Sequence, residues 1–229
     1  MTRNYLDQTM QKLKNEIIEI EQMVSEATTK AVTALIQKDV KLSQVVYLND
    51  QKINAKRFEV ENECLITIAT QQPLATDLRV LASILDIVSE LERMGDYAKG
   101  IAKINLLTKD NPQDIPVIRR LEEMANITVR SLNQAVQAFV TVDVELARAL
   151  PAEDDAVDRI FNEIYTGLVD SMTKDKTLVG LANHLQWAAH NIERMSDRVT
   201  NICERTIFIG TGIMNELEES DDEWVINVQ

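Results

Sequence analysis

An all-α fold, six long antiparallel helices in two tandem three-helix bundles, is what the sequence predicts, and three observations predict it. The first is composition. Of 229 residues 45% are hydrophobic, yet only 4% are aromatic, and the chain holds six Gly and four Pro. Strands favour aromatics and a sheet needs turn residues, whereas the abundant Leu, Ile, Val, Ala, Glu, Lys and Gln point to helices. The second is an internal repeat. Asp39-Val40-Lys41-Leu42 returns 104 positions later as Asp143-Val144-Glu145-Leu146, and Asp50 returns as Asp154. Glu92-Arg93-Met94-Gly95-Asp96 returns 101 positions later as Glu193-Arg194-Met195-Ser196-Asp197. The second copy is therefore three residues shorter between these markers. The third is period. Ile84, Ile87, Leu91, Met94, Ala98 and Ile101 step by three and four, and Leu185, Ala188, Ile192, Met195, Val199 and Ile202 repeat the stripe. That is the apolar face of a packed helix.

The elements follow from the punctuation. A first helix runs from about Asn4 to Lys38. Asp39 is an N-cap for a second helix that reaches about Gln72. Pro73 stands in the next turn, where it can begin a helix but not continue one. The third helix runs from there to about Leu107. Thr108 to Pro116, with its Asn-Pro and Ile-Pro steps, marks the boundary between copies. A fourth helix covers about Val117 to Val140. Asp143 caps the fifth, which Pro151 should interrupt or kink before it continues to about Met172. The sixth runs from about Thr177 to Ile209 and ends at Gly210-Thr211-Gly212. Residues 1–112 are thus the first three-helix repeat and 113–209 the second. Residues 210–229 form an acidic tail that its composition predicts to be flexible.

The formal net charge is −13. Beyond Arg205 there is no Lys or Arg, while Glu216, Glu218, Glu219, Asp221, Asp222 and Glu223 crowd the tail. Such a surface repels nucleic acid and suits a basic partner or a divalent cation. Cys64 and Cys203 lie in amphipathic helical patterns without a second Cys or His at metal-ligand spacing, as reduced core thiols do. The N-terminus lacks the apolar segment of a signal peptide. No run approaches the roughly 18 apolar residues of a membrane span. The expectation is a cytoplasmic protein that does not insert into a membrane.

The chemically interesting residues are acids spaced i, i+4. Glu92 pairs with Asp96 and Glu193 with Asp197; on the preceding helices stand Asp154 with Asp158 and Asp50 with Asn54. Residues four apart share a helix face. Each pair lies one residue off its apolar stripe, at the bundle's edge. Like charges at this spacing destabilise a helix by roughly 0.2–0.5 kcal/mol, so something must offset them. The plain answer is salt bridges from Arg57, Arg79, Lys99, Lys103 or Arg194. The sharper one is a divalent metal held by carboxylates of two adjacent helices, with His190 joining the second set. His184 reads as structural. Asn54 is a poorer ligand than a carboxylate, so the second copy should hold a metal more tightly. Carboxylate di-iron enzymes use Glu-x-x-His on inward faces, which this chain lacks. It also lacks a nucleophile–His set and a phosphate-cradling Gly-rich loop. No enzyme is predicted and no catalytic residue is assigned.

Two further segments carry a resemblance. Gln72-Pro73-Leu74-Ala75-Thr76-Asp77-Leu78-Arg79 resembles the QPxAxDLR turn of PhoU proteins. Leu91 to Asp96 and Ile192 to Asp197 resemble their two LERIGD-type segments. The likeness covers about residues 5 to 209, with the right repeat. It implies a usually dimeric two-repeat bundle acting in phosphate homeostasis. That bundle would stand between a phosphate ABC transporter, through its ATPase, and a sensor histidine kinase, restraining the phosphate-starvation response. It also implies Fe, Zn, Mn or Mg on acidic motifs and no organic cofactor. The candidate ligands it implies here are Asp50, Glu92, Asp96, Asp154, Asp158, Glu193 and Asp197. Asn54 departs from the family pattern. A related subgroup serves transporters other than the ABC type, and a metal-free helical scaffold binding partners through helix faces is the alternative.

Overall fold

Helix boundaries in the computed structural model, which describes residues 2–217, fall where the punctuation puts them. The helices are α1 (Thr2–Gln37), α2 (Val40–Gln71), α3 (Thr76–Thr108), α4 (Arg120–Thr141), α5 (Val144–Ala149), α6 (Asp154–Lys174) and α7 (Val179–Thr211). Single 3-10 turns precede α4 at Pro116–Arg119 and α7 at Lys176–Leu178. A third, at Leu150–Glu153, carries Pro151 and breaks the predicted fifth helix into α5 and α6. A prolyl residue has no N–H for the helical ladder, so an interruption there is its expected effect. Among the described residues there is no strand.

The same link joins the first two helices of each repeat. Lys38 adopts φ 55° and Val142 φ 55°. In both, the next N–H closes back on the helix, Asp39 onto Ala34 O at 2.8 Å and Asp143 onto Ala138 O at 2.9 Å. These are Schellman closures that satisfy the last carbonyls of a helix. Each Asp then turns to the following helix: Asp39 Oδ1 accepts from Leu42 N and Asp143 Oδ1 from Leu146 N, both at 3.0 Å. One residue in the left-handed region and one cap suffice to reverse the chain. At the far end Gly212, φ 76°, closes α7. Residues 213–217 fold back on that helix, with Leu217 N donating to Glu204 at 2.7 Å. Most of the predicted acidic tail, from residue 218, lies outside the described residues.

All twelve residues of the two apolar stripes are buried. Along the seam between repeats, α3 meets α7. Asp86 faces Arg205 at 3.3 Å, Glu90 faces Arg198 and Asn201 at 3.3 and 3.2 Å, Tyr97 bonds Arg194, and Gly100 abuts Asn191. Numbers rise along α3 as they fall along α7, so the two helices run antiparallel. Glu90 and Asn191 are equivalent positions of the two repeats, as are Gly100 and Asn201. The contacts Glu90–Asn201 and Gly100–Asn191 are therefore one contact with its partners exchanged, which places a pseudo-twofold between the repeats. Two apolar clusters fill the interior. One takes Leu81, Ile84 and Leu91 together with Leu132, Phe139 and Ile202; the other takes Val32, Leu35 and Ile101 together with Leu121, Leu185 and Ile192. Each draws on both repeats, and each fully buried aliphatic side chain contributes roughly 1.5–3 kcal/mol. The α2 helix is the exception in pattern. Its buried side is a narrow row, Val46, Asp50, Ile53, Val60, Cys64 and Thr67, while Leu48, Phe58, Leu65 and Ile66 are exposed.

Candidate functional site

The acids of the first repeat stand on α2 and α3 beside cations of the same helices. Lys99 Nζ lies 2.6 Å from Asp50 Oδ2 and 3.5 Å from Asp96 Oδ1, so one ammonium joins a carboxylate from each helix. The Tyr47 ring covers that ammonium at 5.6 Å. Hydrogen bonding to Asp50 raises the Lys99 pKa. Arg57 on α2 bridges to Glu92 on α3 at 3.0 Å and to Glu61 at 2.8 Å. The edge position expected of these acids holds for Asp96, which is half exposed. It does not hold for Asp50, which is 4% exposed. Gly95 stands opposite, where a Cβ would come within 3.0 Å of Ile53 and 3.8 Å of Asp50 Oδ1, so the two helices approach closely at this point. Asn54 donates to Asp50 Oδ2 at 3.3 Å, and Asp50 Oδ1 is buried without a hydrogen bond.

The second repeat brings the equivalent acids into mutual influence, with Arg194 and Arg198 beside Asp197. Burial first, then the charges of Asp197, Asp158 and Asp154, push the Glu193 carboxyl up to about 7, with Arg194 opposing. Carboxylates of α6 and α7 are thus close enough to disfavour one another's charge. Asp197 pairs with Arg194 at 3.0 Å and lies 3.8 Å from Arg198. His190 Nδ1 stands 3.1 Å from Glu193 Oε2, although that oxygen accepts no well-formed hydrogen bond. The imidazole packs edge-on to Trp187 at 5.7 Å and beside Phe161 at 6.4 Å, and burial lowers its pKa. The expected approach of His190 to this face is therefore present. His184 is only partly buried.

The difference between the repeats lies in their cations. In the repeat register Lys99 corresponds to Thr200 and Arg57 to Phe161, while Asn54 corresponds to Asp158. Among the described residues no three His, Cys, Asp or Glu side chains are grouped as a ready-made metal site. The donor chemistry nevertheless separates the two sets. The first has an ammonium where a cation would have to sit. The second sets four carboxylates and one imidazole beside Arg194 and Arg198, and its oxygen and imidazole donors suit a hard or borderline divalent ion. Sequence spacing alone missed Glu90. It accepts from Arg93, Arg198 and Asn201 and ties α3 to α7. Its acid–amide exchange with Asn191 across the repeat was the available signal.

The family described as "PhoU domain" matches residues 17–104 and 121–206, one match for each repeat and its acids. A Clostridium acetobutylicum protein named phosphate-specific transport system accessory protein PhoU homolog is 30% identical over 96% of this chain and 100% of its own length. The crystal structure of PhoU from Pseudomonas aeruginosa superposes with a TM-score of 0.85 at 27% identity, covering 90% of this chain and 99% of that one. The phosphate transport system regulatory protein PhoU from Streptococcus pneumoniae also gives 0.85, at 27% identity over 93% and 100%.

Proposed function

The chain belongs to the PhoU family, and we propose that it is a non-enzymatic accessory protein of phosphate uptake. In this reading it is a cytoplasmic homodimer that links the ATPase of a phosphate ABC transporter to a sensor histidine kinase and restrains the phosphate-starvation response. The observation that carries the reading is the extent of the likeness. The same two-repeat helical body, over nearly the whole length of both chains, is shared with proteins named for phosphate transport and its regulation. Local chemistry supports a non-enzymatic role. The acids face cations or each other rather than a nucleophile, and burial pushes both thiols up to about 12, far from the thiolate that covalent chemistry needs. No helix among the described residues is long and apolar enough to cross a membrane.

Divalent metal on the paired carboxylates belongs to the same proposal, with Asp154, Asp158, Glu193 and Asp197 the residues that would hold it. A bound cation would supply charge neutralisation on this face. The residues themselves do the positioning: α6 presents two acids, α7 presents two more, and Arg194 fixes Asp197. Partner docking on this face would then depend on occupancy. The test is made in cells grown in high phosphate. Removal of the chain should switch on a phosphate-starvation reporter, and a silent reporter would overturn the regulatory reading. Glu193→Ala with Asp197→Ala should weaken binding to the purified ATPase and kinase; binding unchanged with and without chelator would remove metal from the account. A metal-free scaffold is the second reading, favoured by the absence of a preformed ligand group among the described residues and by the exposed Leu48, Phe58 and Leu65 of α2. A melting temperature that ignores Zn, Fe, Mn and Mg would select it.

A further inference from the structure

The two repeats carry their acids at matching positions but solve the charge problem differently. In the first, the buried Asp50 and the exposed Asp96 converge on one ammonium, Lys99, at 2.6 and 3.5 Å. Asp50 is 4% exposed, its Oδ1 is buried without a donor, and its Oδ2 takes both Lys99 and Asn54. A carboxylate so placed needs a cation at short range. In the second repeat the residue at that place is Thr200, which has no charge, and the carboxylate count rises by Asp158.

We propose that Lys99 is a resident counter-cation: it occupies the place between Asp50 and Asp96 that a divalent ion would need, so the first repeat takes no divalent cation. The consequence that metal response is confined to the second repeat rests on the reading of that repeat given above; the statement about Lys99 does not. The ammonium and a divalent ion exclude one another by like charge at contact distance. The Tyr47 ring covers the ammonium, which meets acids of two helices. It supplies a cation's electrostatic role without dependence on metal supply.

The experiment uses the full-length chain. In the variant D154N/D158N/E193Q/D197N the first repeat is intact and the second has lost its acids. Mn2+ titrated into it, followed by calorimetry and by melting temperature, should show no saturable binding; saturable binding with Lys99 in place overturns the proposal. Adding Lys99→Gln to that variant should produce saturable Mn2+ binding, with a melting temperature that now climbs with Mn2+. A Lys99→Gln protein that folds and gains nothing also overturns it. The first arm leaves the first repeat untouched, so saturable binding there overturns the proposal even where Lys99→Gln folds poorly. A wild-type chain that binds no Mn2+ would defeat the metal reading of the second repeat while leaving the Lys99→Gln comparison in force.

Discussion

Glu21 on α1 carries a carboxyl where water scarcely reaches. It is 4% exposed, its oxygen accepts from the Ser25 hydroxyl at 2.6 Å, and burial raises its pKa above the ordinary 4.5. The sign of the linkage follows. A group with a raised folded pKa binds its proton more tightly in the folded state, so its contribution is full below about pH 4.5 and is lost as pH rises through the folded value. At neutral pH the buried charge is a burden. Glu21→Gln keeps an acceptor for Ser25 and removes the charge, and it should melt higher than the parent at about pH 7.5 but not at about pH 4. Equal shifts at both pH values would mean that the amide acts through packing. The cysteines make a second residue-scale prediction. With both thiols buried and pushed up to about 12, neither Cys64 nor Cys203 should react with an aromatic disulfide reagent at pH 8 in the native protein. Both should react in denaturant; one fast thiol in the native state would contradict their burial.

Within each repeat, the joint between its first two helices rests on one Asp. Asp39→Ala and Asp143→Ala each remove a 3.0 Å cap bond, and each should lower stability by about 1 kcal/mol in urea unfolding. The sites are remote, so the double variant should lose about the sum; a strongly sub-additive double would show that the caps act through a shared element. These caps were legible in the sequence because Asp recurs at the right place in both copies, and Pro73, Pro151 and Gly212 were legible for the same local reasons. The left-handed residue before each cap was not. Lys38 and Val142 carry none of the Gly signature of that conformation, and Val142 is β-branched; a pair of backbone bonds and packing against the first apolar cluster hold it there. The candidate site divides in the same way. The positions of its acids came from repetition and spacing. So did cations expected beside them, Arg57, Lys99 and Arg194, which pair with Glu92, Asp96 and Asp197; the bond of Lys99 across to Asp50 did not, because helical spacing fixes a face but not what faces it. The close approach of Ile53 to Gly95 beside the buried Asp50 is likewise a relation between helices that no local pattern carries.

Across the whole molecule, sequence symmetry suggests two halves, but packing gives the halves a common interior. The first apolar cluster joins Leu81 and Ile84 to Ile202 and Cys203, and the second joins Val32 and Ile101 to Leu185 and Ile192. Glu90 adds a polar tie from α3 to Arg198 and Asn201 of α7. Separating the repeats would expose the inner faces of α1, α3, α4 and α7 together, a penalty that grows with apolar area. The chain should therefore unfold as one unit, with a single calorimetric peak whose calorimetric and van't Hoff enthalpies agree. Ile84→Ala in the first repeat and Ile192→Ala in the second should each move that whole peak downward, at a cost of about 2–5 kcal/mol. Residues 1–112 expressed alone should show helical signal without a cooperative melt, because half of each cluster is missing. Were Ile84→Ala to split the peak and leave one component at the parental temperature, the repeats would be energetically independent. Their pseudo-twofold seam would then be a docking contact between two finished domains rather than the core of one.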